Sequence, residues 1–102
     1  MKRLPSAPSH LRPETRRWWR EVVKQFALES HHLKILTAAG EALDRQNEAR
    51  ELLQRDGLII SGRQGKKPHP AAAIARDSAM VFAQLIKHLN LDVESPRQSD
   101  LF

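Results

Sequence analysis

Four cations near the start of the chain have the spacing of neighbours on one face of a helix. They are Arg16, Arg17, Arg20 and Lys24, and residues three or four positions apart lie side by side on a helix. Guanidinium and ammonium groups gathered in this way can contact phosphates, and a solvated helix face is an equally good interpretation. Earlier cations lengthen this first candidate polyanion site, which comprises Lys2, Arg3, Arg12, Arg16, Arg17, Arg20 and Lys24.

A second basic group lies in a turn that contains two glycines, Gly62-Arg63-Gln64-Gly65-Lys66-Lys67. A nucleotide-binding P-loop has four residues between its glycines and then Lys and Ser or Thr at the start of a helix. The spacing here does not match, so the turn carries no ATPase motif and is typical of a hairpin with solvated lysines. Phosphate contact remains open, which makes Arg63, Lys66 and Lys67 the second candidate group.

Neither the acidic residues nor the histidines have the arrangement of a catalytic or metal site. The acids recur along one side of a predicted helix, at Glu41, Asp44, Glu48 and Glu51. No converging groups elsewhere would complete a nuclease site, so a solvated or intersubunit face is the better interpretation. His31 and His32 are adjacent, point about 100° apart on a helix, and have no cysteine to join them. We therefore expect no enzyme activity, no metal and no cofactor.

The elements that must position these groups form an all-α fold. Pro13 suits the first turn of a helix, and apolar residues at helical spacing predict a helix at about 12–28. The same periodicity predicts helices at about 31–56 and 70–89. Between these two, a β-favouring run followed by turn residues predicts a short β-hairpin or ordered loop at 57–68. The second helix is longer than the average of roughly 11 to 12 residues, so it should project beyond a compact core or pack against copies of itself.

Two adjacent tryptophans, Trp18 and Trp19, lie in the first predicted helix. Such rings could stack on nucleic-acid bases. Adjacent tryptophans on a helix more often send one ring into the core and leave the other at its margin. We predict a core role for the pair.

The length of 102 residues allows a single domain. We predict a flexible basic arm at 1–11, one helical domain at 12–90 and a flexible C-terminal tail at 91–102. The chain has no cysteine, no apolar signal-peptide core and no uninterrupted apolar run of about 18 residues. These features predict a cytoplasmic protein with no membrane association.

The net charge is +5, and the charges are unevenly distributed. Residues 1–20 and 57–77 are basic, whereas residues 21–56 between them are acidic. This pattern fits a polyanionic partner such as nucleic acid, and it also fits a ring whose subunits meet through opposite charges.

The order of landmarks along the chain resembles the small subunit of tailed-phage terminases. The opening Ala7-Pro8-Ser9-His10-Leu11 precedes the tryptophan helix, as in that family. The segment from Leu52 to Gly57 resembles the end of the family's second helix, and His69-Pro70 resembles the start of its third. Leu89-Asn90-Leu91 stands where the family usually has Leu-Gly-Leu.

This resemblance implies a non-catalytic factor for packaging viral genomes. Members of the family assemble into homo-oligomeric rings, bind double-stranded viral DNA and present it to a large subunit that carries ATPase and nuclease. The resemblance places the protein in the cytoplasm of the host bacterium. It also suggests that the second helix forms the wall between subunits and that the C-terminal tail reaches the large subunit.

The last five residues suggest a further partner-binding site. They resemble the bacterial sliding-clamp-binding motif, and the residues that carry the likeness are Gln98, Asp100, Leu101 and Phe102. The tail could bind a clamp, another packaging protein or nothing.

Two other functions compete with the packaging interpretation. One is a helix-turn-helix regulator that reads base edges, but the second predicted helix begins His31-His32-Leu33-Lys34 and then turns acidic, unlike a recognition helix. The other is an adaptor, supported only by the clamp-like tail.

Overall fold

A computed structural model describes residues 4–90 of the chain, which form three helices and one β-hairpin. The helices are α1 (Pro13–Gln25), α2 (Ser30–Asp56) and α3 (Pro70–Leu89), and the strands are β1 (Ile59–Gly62) and β2 (Gly65–Pro68). The predicted all-α fold is therefore confirmed. The predicted tail, together with Lys2 and Arg3 of the arm, lies outside the described residues.

Helix α1 begins at Pro13, where the missing N–H of proline is not needed. It ends at Gln25, three residues before the predicted end. Phe26 has extended backbone and donates its N–H to Val22 O at 3.0 Å. The prediction ran too far because Phe26 and Leu28 are apolar and pack against the core from an extended link, so their spacing continues the helical pattern without helical backbone.

Helices α2 and α3 form an antiparallel pair that makes up most of the molecule. The start of α2 and the end of α3 meet, since Leu36 and Leu89 belong to the same buried cluster. Small side chains are buried between the helices, among them Ala39, Ala42, Ala49, Ala71 and Ser78, and they allow a close approach of the two backbones. Helix α2 has 27 residues, about 40 Å at 1.5 Å per residue, and the molecule measures 60 × 28 × 20 Å.

Helix α1 lies across one end of the α2–α3 pair, and the main core forms there. The buried apolar cluster comprises Leu11, Trp19, Val22, Val23, Leu36 and Leu89. Gly40 lets the start of α1 come close to α2, because a Cβ at this position would lie 3.1 Å from Leu11 Cδ1 and 3.2 Å from Thr15 Cγ2. The core thus fixes α1 on α2. The rest of the α2–α3 pair buries mainly small side chains.

The predicted hairpin is present at the other end. Strands β1 and β2 are antiparallel, with Ile59 opposite Pro68 and Gly62 opposite Gly65. Gly65 has φ 103°, a backbone conformation that glycine adopts without strain. The side chain of Ile60 is half-buried and the other strand residues are exposed, so the hairpin projects into solvent.

The base of the hairpin is held by His69, the residue before α3. Its Nδ1 accepts the backbone N–H of Ala71 at 3.0 Å and so caps α3. Its Nε2 lies 2.9 Å from Asp56 Oδ2, and its backbone N–H donates to Leu58 O at 2.7 Å. One residue therefore joins the end of α2, the base of the hairpin and the start of α3, through its side chain and its backbone N–H.

Candidate nucleic-acid interface

The exposed face of α1 carries three of the predicted cations. Arg17, Arg20 and Lys24 are exposed, whereas Thr15, Trp19 and the two valines of the helix are buried on the opposite side. Lys24 Nζ lies 3.8 Å from Glu21 Oε1. This ion pair is exposed and contributes little to stability. Within residues 4–90, Arg17 and Arg20 form no ion pair. These three side chains, the α1 stripe from here on, can approach a phosphate backbone.

Arg16 is half-buried and holds the N-terminal segment. Its guanidinium donates to the carbonyl oxygens of Ser9 at 3.0 Å and Leu11 at 2.7 Å. Part of its hydrogen-bonding capacity is thus used within the chain. The predicted phosphate contact of Arg16 needs either its remaining N–H groups or a rearrangement of this segment.

Arg12 is engaged by the acidic side of α2. Its Nη2 donates to both carboxylate oxygens of Glu51, at 2.9 and 2.7 Å, and this hydrogen bonding is the main cause that raises the pKa of Arg12. Its backbone N–H donates to Asp44 Oδ2 at 2.9 Å. Arg12 therefore lies apart from the α1 stripe, and its side chain anchors the start of α1.

The acidic residues of α2 form a clamp on the segment that leads into α1. Glu41 Oε2 lies 2.8 Å from His10 Nε2, Asp44 accepts from the Thr15 hydroxyl and the Arg12 backbone, and Glu51 binds the Arg12 guanidinium. Sequence reasoning missed this role. The partners are 29 to 39 residues apart, and no local pattern pairs them.

Over the described ranges, no group of three or more His, Asp or Glu side chains is placed to hold a metal ion.

The tryptophans have separate structural roles. Trp19 is 2% exposed, and its indole N–H donates to Thr37 Oγ1 at 3.3 Å. Trp18 is half-buried against Phe82 of α3, with ring centroids 5.6 Å apart. The predicted core role is confirmed, and Trp18 lies on the flank of α1 that faces α3, away from the α1 stripe.

The cations of the hairpin lie apart from those of α1. Arg63, Lys66 and Lys67 are exposed around the tip. Because α1 packs on the first half of α2 and the hairpin follows its last residue, the fold separates the two basic groups along its long axis. Lys2, Arg3 and the four tail residues Gln98, Asp100, Leu101 and Phe102 lie outside the described residues.

The chain matches a known protein family over most of its length. Residues 14–99, from the first turn of α1 to beyond α3, match the family described as phage terminase, small subunit. The chain belongs to this family. Neither a curated protein nor a solved structure shows significant similarity to the chain.

Family membership confirms the resemblance drawn from the order of landmarks along the chain. It also concerns the expectations of DNA binding, oligomerisation and no enzyme activity. DNA binding and oligomerisation are typical of terminase small subunits, which are generally non-catalytic because the ATPase lies in the large subunit. In the part of the chain that the structure covers, no helix has the length and apolar character needed to cross a membrane.

Proposed function

We propose that this terminase small subunit binds double-stranded phage DNA through the α1 stripe and presents it to the large ATPase and nuclease subunit in the cytoplasm of the host bacterium. The observation that carries the proposal is the exposure of Arg17, Arg20 and Lys24 on the side of α1 opposite the core. Cations held on a rigid helix can contact successive phosphates with little further loss of conformational entropy.

The contacts offered by the α1 stripe are to the DNA backbone and not to base edges. Lysine and arginine bind phosphates irrespective of sequence and release counterions, so the affinity falls steeply with salt. Helix α2 supports this view, because it is packed against α1 and α3 along its length and is not free to enter a groove as a recognition helix. Arg63, Lys66 and Lys67 of the hairpin, and Lys2 and Arg3 of the arm, extend the proposed DNA contact. Arg16 contributes the N–H groups that do not bind Ser9 or Leu11.

We further propose that the protein assembles into a homo-oligomeric ring, with the α2–α3 pair as its wall. Ile74 and Val81 lie seven residues apart on α3 and are 44% and 43% exposed, and Leu52 of α2 is 36% exposed. Their spacing puts Ile74 and Val81 on one face of α3, and the single chain covers this face only in part. A neighbouring copy would bury them, in keeping with the oligomerisation typical of the family.

The DNA proposal is tested by replacing Arg17, Arg20 and Lys24 together with alanine. A matched control replaces Lys34, Arg50 and Lys87, three exposed cations of α2 and α3, so both variants lose the same charge. DNA affinity is measured by fluorescence anisotropy at several salt concentrations. The slope of log K against log salt should fall by up to about 3 in the first variant, near one per lost phosphate contact, and change little in the control. Equal losses in the two variants would mean that net charge, and not the α1 stripe, governs binding.

Presentation to the large subunit is tested separately by co-purification. The proposed contact is the C-terminal tail, through Gln98, Asp100, Leu101 and Phe102. Alanine at all four positions should abolish capture of the large subunit while leaving DNA affinity at high salt unchanged. Retained capture by the large subunit, with lost capture by the host sliding clamp, would favour the adaptor function for the tail.

A further inference from the structure

A cleft of about 600 Å³ lies between α1 and the N-terminal segment at residues 4–9. Its floor and walls include apolar groups of Leu4, Pro5, Ala7 and Val23. Leu4 is 56% exposed, so an apolar side chain faces the opening without a covering partner among the described residues.

The polar lining of this cleft combines Ser6 and Ser9 with three cations. Arg16, Arg20 and Lys24 border it, and none of the acidic side chains within residues 4–90 does. A phosphate backbone would use the cations but leave the apolar surface in water. The chemistry that satisfies both is a peptide that alternates acidic and apolar side chains.

The C-terminal segment of this chain, residues 91–102, has that composition. Its acids are Asp92, Glu94 and Asp100, its apolar residues are Leu91, Val93, Leu101 and Phe102, and Arg97 is its one cation. The charges of the segment and the cleft are therefore opposite in sign.

The segment also begins close to the cleft. It follows Asn90 at the end of α3, and Leu89 is buried in the same cluster as Val23, whose side chain lines the cleft. Twelve residues can span about 40 Å when extended, which exceeds the two shorter extents of the molecule, 28 and 20 Å. The segment can therefore reach the cleft of its own chain.

We propose that residues 91–102 dock in the cleft between α1 and residues 4–9 of the same chain, with acids on Arg20 and Lys24 and apolar side chains against Leu4 and Val23. Because the cleft shares Arg20 and Lys24 with the α1 stripe, docking covers part of the DNA-binding face. Capture of the segment by a partner then exposes these cations. This consequence rests on the proposed DNA function, whereas the docking itself does not.

Docking is tested by disulfide formation in the full chain, which has no native cysteine. Ser6→Cys with Leu101→Cys places one thiol in the cleft wall and one in the segment. Ser61→Cys with Leu101→Cys is the matched control, since Ser61 is exposed on the hairpin. Mild oxidation followed by mass spectrometry should give a bond within one chain in the first pair, at least about ten times faster than in the control, as expected for a raised effective concentration. Equal rates, or bonds formed only between chains, would overturn the proposal.

The effect on DNA is tested without any change in net charge. Leu101→Ser with Phe102→Ser removes apolar docking groups and leaves every charge in place. DNA affinity at low salt should rise several-fold in the native background and stay unchanged in a background with Arg20→Ala and Lys24→Ala. A chain that forms the cleft disulfide but binds no DNA would retain the docking proposal and refute the DNA function. Unchanged affinity of the double serine variant, in a chain that does bind DNA, would refute the shared use of the cations.

Discussion

Asp44→Ala should destabilise the protein more than removal of any other acid in the clamp. Asp44 Oδ2 accepts the N–H of Arg12, the residue that precedes the first turn of α1, and Oδ1 accepts the hydroxyl of Thr15. Arg12 makes no capping hydrogen bond with its own side chain, so α2 supplies the cap that α1 lacks. The carboxylate therefore replaces a local N-cap by a tertiary one.

The cost can be worked from these two contacts. Loss of an N-cap costs about 1 kcal/mol. Thr15 is 0% exposed, so its hydroxyl would be left buried without a partner, at about 1–3 kcal/mol. Asp44 is itself only half-buried, which favours the lower part of the range, and we expect a loss of about 2–3 kcal/mol in the free energy of unfolding.

The assay is urea unfolding followed by circular dichroism at fixed protein concentration, because oligomerisation makes stability depend on concentration. Glu48→Ala is the control. Glu48 lies four residues further along α2 and is exposed, and its replacement removes the same charge as Asp44→Ala. It should change the unfolding free energy by less than about 0.5 kcal/mol. Thr15→Val completes a double-mutant cycle with Asp44→Ala. A cost for Asp44→Ala no larger than that of Glu48→Ala, or a coupling energy near zero, would refute the role of Asp44 as a tertiary cap.

Three further variants test the packing, the hairpin base and the assembly. Gly40→Val should cost about 1–3 kcal/mol in urea unfolding, because even a Cβ there would lie 3.1 Å from Leu11 Cδ1; unchanged stability would contradict close packing of α1 on α2. Hydrogen bonds from Arg55 first, and then from the histidine before α3, lower the pKa of Asp56 below its ordinary value of 3.8. The contribution of the Asp56 carboxylate to folding stability is therefore present above pH 3.8 and is lost as the pH falls below it. The stability difference between the native chain and Asp56→Asn should therefore shrink in acid, and a pH-independent difference in thermal midpoint would contradict this. Val81→Arg should reduce the mass measured by light scattering toward the 11.7 kDa chain without loss of helical signal, and an unchanged mass would remove the α3 flank from the proposed ring wall.

Local chemistry explains which element bounds could be predicted from the sequence. Helix α3 has the predicted bounds because Pro70 fits its first turn and Asn90, with φ 63°, takes the left-handed conformation that ends it. Gly57, with φ 85° and ψ 165°, ends α2 in a different, extended conformation of positive φ that glycine adopts without strain. The end of α1 was predicted three residues late because Phe26 packs against the core from extended backbone. Helical periodicity cannot distinguish such a residue from an apolar residue within the helix.

The candidate site was only partly predictable for a different physical reason. Exposure of Arg17, Arg20 and Lys24 follows from the helical pattern of α1 alone, and the structure places them accordingly. Engagement of Arg12 by Glu51 depends on a contact across 39 residues. A basic side chain has the same sequence signature whether it faces solvent or an acid from a distant helix, so only the fold distinguishes an available cation from an anchored one.

The anchored cation and the available ones are physically connected. The clamp contacts His10, Arg12 and Thr15 from three positions of α2, and these contacts fix the rotation of α1 about its own axis as well as its place on α2. The direction of the α1 stripe is therefore set by α2 and not by the link between the helices. In a ring with the α2–α3 pair as its wall, every copy would present its stripe at the same angle to the ring axis. Such repetition suits a DNA backbone, because contacts that are individually weak add along a regular array of phosphates.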